Sequence, residues 1–124
     1  MGDPAGAPVP ALLRQVIEGR AARLGEEAQR LLATAAVIGQ EVRLELWAAV
    51  AETDEDGLLA TIERATEARL LVPAPDGAAV RFAHALIREA LYEGTLPMRR
   101  RRVHVRVGEA LLAAPDPDLS LIHI

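Results

Sequence analysis

The chain has 124 residues and a formal net charge of −4, with 14 basic residues against 18 acidic ones. Every basic residue is arginine, and lysine, cysteine and asparagine are absent throughout. A Walker-type phosphate loop and Schiff-base chemistry need lysine, while thiol nucleophiles, zinc–thiolate sites, iron–sulfur clusters and disulfides need cysteine, so all of these are excluded.

Residues 1–8 are rich in proline and glycine without an apolar period and read as a disordered lead. From Ala11 the pattern turns helical: Leu13, Val16, Ile17, Ala21 and Leu24 share one face. Gly25 breaks that helix. Glu26 and Glu27 suit the start of the next, where the dipole favours anions. Its apolar face is Ala28, Leu31, Leu32 and Ala35, and Gly39 closes it. A short link with an extended stretch through Val42 leads to a third helix over residues 44–51, which carries Trp47 inward. Thr53 and Asp56 resemble a capping box for a fourth helix, with Leu58, Leu59, Ile62, Ala65 and Thr66 on one side.

The period then shortens. Leu70, Leu71 and Val72, a turn with Asp76 and Gly77 at its tip, and the alternation Val80, Arg81, Phe82 predict a two-stranded hairpin. A fifth helix begins near Ala83, buries Leu86, Ile87, Ala90 and Leu91, and stops at Gly94. Pro97 suits the first turn of a sixth, whose inner face is Val103, Val107, Ala110 and Leu111, with Pro115 and Pro117 ending it. The fold class is therefore mainly α: a winged-helix-like helical bundle with one two-stranded β-hairpin as wing and a following helix. The domain spans residues 9–95, and residues 96–114 form a helix that starts a further helical region. Residues 115–124 read as a disordered or artefactual tail.

The core is built from Ala, Leu and Val, with Trp47, Phe82 and Tyr92 as the only aromatic residues. No apolar run approaches the ~20 residues of a membrane span, and no leader peptide is visible. These features point to the cytoplasm and to no membrane partner. The only serine is Ser120, with no glycine elbow around it, so a serine nucleophile is not expected.

Three stretches carry a family resemblance, extending into residues 99–104 and 108–111: residues 9–24 with 27–32, residues 35–39, and residues 81–92, above all the run Phe82, His84, Leu86, Ile87, Arg88, Glu89, Ala90, Leu91, Tyr92. Together they resemble the winged-helix region of bacterial STAND-type AAA-like ATPases, including large regulators of the LuxR type. The resemblance implies that the chain is a piece of a longer protein. In that protein an ATPase core would precede it, helical repeats would follow it, and ATP or ADP would be bound outside these residues. It implies a non-catalytic regulatory module with no cofactor of its own. The end, residues 119–124, resembles translated sequencing-adapter read-through.

The same resemblance places a histidine, here His84, against a nucleotide phosphate, although the aspartate of that motif is missing because Ala85 follows. The residues alone equally allow His84 to cap the fifth helix. Arg81 and Arg88 flank it; either could reach a phosphate, or pair on the surface with Glu67, Glu89 or Glu93. Arg99 to Arg102 spread around their helix rather than forming one stripe, so one of them is expected against the core. His104 is expected to face solvent or to be partly packed, and no metal site is expected. A stand-alone DNA-binding winged helix using Arg81 and the arginine-rich helix is the alternative function. Against it, the helix before the wing carries Asp54, Glu55, Asp56, Glu63 and Glu67 against Arg64 and Arg69, a face that repels phosphate. Direct DNA binding is therefore not expected.

Overall fold

A computed structural model of the chain describes residues 9–113. The expectations for the lead, for Pro115 and Pro117 and for the adapter-like tail lie outside those residues. The element order is α1 (Ala11–Ala22), α2 (Glu26–Ile38), β1 (Glu41–Arg43), α3 (Leu44–Ala51), α4 (Glu55–Glu67), β2 (Leu71–Pro73), β3 (Ala79–Phe82), α5 (Ala85–Glu93) and α6 (Pro97–Ala113).

The expected hairpin is present: β2 and β3 pair antiparallel, with Leu71 opposite Phe82 and Pro73 opposite Val80. Gly77 at φ 73° supplies the left-handed turn residue, and Asp76 accepts the Ala78 N–H at 2.9 Å. A third strand joins it. β1 pairs with β3, Val42 opposite Val80, so the sheet order is β1-β3-β2. Helix, strand, two helices and hairpin, with the first strand on the far side of the last, make the winged-helix-like arrangement.

α2 is the hub. It touches α1, α3, α4, α5 and α6, and its Ala28, Leu31, Leu32, Thr34, Ala35, Ala36 and Val37 are all buried. The small alanines let neighbours approach from several sides. Trp47 is the largest wholly buried side chain and fills the centre. Its indole N–H donates to the Leu31 carbonyl at 2.9 Å, so α3 is tied to α2 by one directional bond inside a non-directional core. A smaller cluster of Val37, Leu46, Val50 and Val103 seats α6, with Val107, Ala110 and Leu111 packed against it.

Three local expectations need correction. The cap of α4 is Asp54, not Thr53: Asp54 accepts the Gly57 N–H at 2.8 Å. A side chain at Gly57 would press on Thr53 Oγ1 at 2.9 Å, so the glycine keeps that turn tight. Val16, Leu59 and Leu86 lie on the expected helical faces yet are exposed, because each sits at the edge of a stripe narrower than its apolar pattern. α5 begins at Ala85, since His84 is extended. α6 lies on α2 and α3.

α4 ends in a Schellman turn. Leu70 N donates to Ala65 O at 2.8 Å and Arg69 N to Thr66 O at 3.0 Å, with Leu70 and Ala65 both buried. Arg69 holds the left-handed position at φ 65°, where glycine is favoured. This turn aims β2 at the sheet.

Two outcomes follow for urea unfolding. Trp47→Phe removes the donor and leaves a void, and lowers stability by about 1–3 kcal/mol. Arg69→Gly relieves the left-handed backbone at an exposed site and raises stability by about 0.5–1 kcal/mol.

Candidate functional site: the junction of wing and α5

The junction is held from both sides. Phe82 N donates to Gln40 O at 3.0 Å, and the Gln40 side-chain amide returns a bond to Phe82 O at 2.9 Å. On the other edge Ala83 N donates to Leu70 O at 3.0 Å. Phe82 itself is fully buried. The next residue but one, His84, therefore leaves the sheet from a fixed point.

His84 is exposed and is the N-cap of α5. Its Nδ1 accepts the Leu86 N–H at 3.1 Å. Accepting there places the neutral imidazole's proton on Nε2, and Nε2 makes no other hydrogen bond among the described residues. The capping and phosphate readings thus use different nitrogens: Nδ1 holds the helix start, and Nε2–H remains a donor for an anion.

Arg81 is exposed on β3, directly between Glu41 of β1 and Val72 of β2. It makes no ion pair among the described residues. Arg88 sits one helical turn past His84 but is half-buried and already engaged. Its Nε donates to Ala36 O at 2.6 Å, and its guanidinium lies 5.2 Å from the centre of the Tyr92 ring. Neither arginine pairs with Glu67, Glu89 or Glu93, which corrects the surface ion-pair expectation. Glu93 instead faces Arg14 at 3.7 Å and accepts the Val9 N–H at 3.3 Å. Of the three sequence candidates, His84 and Arg81 thus offer donors to a phosphate, while Arg88 holds α5 on α2.

The arginine-rich helix divides as its angular spread implies. Arg99, Arg101, Arg102 and His104 are exposed. Arg100 turns inward: its Nε donates to Tyr92 O at 3.1 Å and its guanidinium covers the Tyr92 ring at 4.5 Å. Arg106 bonds Val50 O at 3.3 Å and the Glu52 carboxylate at 2.8 Å. Arg30 was not singled out by the sequence. It donates to Ala51 O at 3.2 Å and pairs with Glu27 at 2.7 Å. Hydrogen bonding from Arg30 holds the Glu27 carboxyl below its usual range, and the same bond raises Arg30. The sequence signal was the spacing of three between Glu27 and Arg30 on α2.

Among the described residues no group of three or more histidine or acidic side chains could hold a metal ion, and no helix is long and apolar enough to cross a membrane. Mainly helical with a small three-stranded antiparallel wing, the chain has a winged-helix-like fold with a histidine-capped helix after the wing. Protein-family models, curated proteins and solved structures give no match to it.

The cap is testable by thermal and urea unfolding. His84→Ala lowers stability by about 0.5–2 kcal/mol, and His84→Asp, a good cap at an N-terminus, recovers most of it. A silent alanine variant would show that the imidazole does not cap.

Proposed function

We propose that the chain is the regulatory winged-helix module of a STAND-type ATP-binding regulator of the LuxR kind, acting in the cytoplasm. In this reading an ATPase core on the same polypeptide binds ADP or ATP, and the module passes that state to downstream helical repeats and an output domain. The module itself performs no catalysis.

The observation that carries the reading is the exposed face of α4. In a DNA-reading winged helix, this helix lies in the major groove and offers basic or amide side chains. Here the exposed positions are Glu55, Asp56, Leu59, Ala60, Glu63, Arg64 and Glu67, and Asp54 at the cap adds a further carboxylate. Such a face repels a phosphate backbone and suits an intramolecular or protein partner. His84 supports the same reading. Its Nε2 and the Arg81 guanidinium are both exposed donors close in sequence, which supports contact with a phosphate on an adjoining core. A bound nucleotide would supply the charge whose gain or loss biases two arrangements of module and core.

The test uses the longer polypeptide. His84→Asp keeps the α5 cap but sets a carboxylate against the phosphate, so ADP release speeds up by at least about 10-fold, the equivalent of one charged hydrogen bond. Unchanged release removes His84 from nucleotide sensing. For the present chain, no mobility shift of duplex DNA is expected even at low salt. A salt-sensitive shift abolished by Arg101→Glu would replace this reading with DNA binding.

A further inference from the structure

α6 begins beside the end of α3, and between them and α2 lies a cleft of about 430 Å³. Four arginines line it against a single glutamate, in a chain whose net charge is −4. Two of the four are spent: Arg30 on Glu27 and Ala51 O, and Arg106 on Glu52 and Val50 O. The other two, Arg99 and Arg102, are exposed, lie three apart on one helix face and make no ion pair among the described residues. The N-terminal dipole of α6 adds positive potential at the same mouth. Beside these charges stand Leu96 and Met98, 62% and 76% exposed, with Val103 buried beneath.

We infer that this cleft binds an acidic peptide segment of a partner protein, one that carries an aliphatic side chain between carboxylates. The carboxylates match the planar, bidentate donors of Arg99 and Arg102. The aliphatic side chain covers Leu96 and Met98, which otherwise stay in water. A nucleobase finds no stacking surface here, because no aromatic residue lines the cleft and Tyr92 is already covered by two guanidinium groups. At one wall the Glu52 carboxylate already meets Arg106 at 2.8 Å, so the cleft takes a carboxylate of this chain at its edge. Binding here is independent of any nucleotide at His84.

Fluorescence polarisation of a short labelled peptide alternating glutamate with leucine provides the test. The peptide binds saturably, and more weakly as salt rises. Reversing both free arginines, Arg99→Glu with Arg102→Glu, weakens it at least about 10-fold, since two charged contacts turn repulsive. Replacing the peptide's leucines by serine, or Met98→Ser in the protein, weakens it by about 3–10-fold. Both arginines are exposed, and unchanged circular dichroism confirms that the double variant folds. Absent binding, or equal binding by the double variant, overturns the inference. So does equal binding of the serine peptide. Displacement by inorganic pyrophosphate or duplex DNA through the same arginines assigns the cleft to phosphate instead.

Discussion

Arginine on the open end of a neighbouring helix is the interaction on which this structure depends. Every α-helix leaves the carbonyls of its last turn without internal partners, and they carry the negative end of the dipole. Chains commonly answer with glycine, asparagine or lysine near the end; this one has no lysine and no asparagine. Guanidinium groups from adjacent helices do the work. Arg88 of α5 takes Ala36 O near the end of α2. Arg30 of α2 and Arg106 of α6 take Ala51 O and Val50 O at the end of α3. Arg100 of α6 takes Tyr92 O and Glu93 O at the end of α5. Each bond adds a charged donor to a part-buried carbonyl at a helix end, where an unpaired polar group would cost about 1–3 kcal/mol. Each also joins two helices at a defined height.

That second effect matters because the core cannot supply it. A core of alanine, leucine and valine rewards burial but says little about how far one helix slides along another. α2 is buried on several sides and touches every other helix. Its register against α5 is fixed by Arg88, and its register against α3 by Trp47 and Arg30. α6 is set twice, by Arg100 at its start and by Arg106 two turns later. With Tyr92 between Arg88 and Arg100, α5 and α6 meet on a single aromatic ring. The junction bearing His84 inherits this rigidity, since α5 is held at both ends.

The parts of the fold legible in the sequence are those with a local cause. Apolar period gave the helices, and Asp76 with Gly77 gave the hairpin tip. The pairing of β1 was not legible, because a strand of three residues has no period of its own and its partner lies some forty residues on, at Val80. Asp54 outcompeted Thr53 as the cap through a bond at 2.8 Å that either oxygen could in principle have made. The arginine contacts were the least legible. Sequence reasoning pairs arginine with carboxylates, whereas Arg88 and Arg106 found backbone carbonyls 52 and 56 residues away. A carbonyl has no sequence signature; only its place at a helix end makes it an acceptor. His84 was legible as a special residue, but the division of labour between Nδ1 and Nε2 needed the Leu86 N–H in place.

The arginines consumed in this way change what the remaining charges mean. A count of 14 basic residues suggests a broad positive surface, yet Arg30, Arg88, Arg100 and Arg106 are committed to helix ends. Exposed and without an ion pair among the described residues are Arg20, Arg23, Arg64, Arg69, Arg81, Arg99, Arg101 and Arg102, and of these Arg99, Arg101 and Arg102 cluster at the start of α6. Opposing them, α4 exposes carboxylates along its length. The start of α6 is therefore the densest cluster of exposed arginine, and α4 carries a run of exposed carboxylates. Glu52 and Arg106 form the seam between them, since Glu52 closes α3 in a left-handed turn just before α4 begins. Like charges are grouped along the backbone, in Arg99 to Arg102 and in Asp54 to Asp56, so a partner of either sign meets a patch that attracts it. Such segregation selects partners by sign and position, which a uniformly acidic surface of the same net charge could not do.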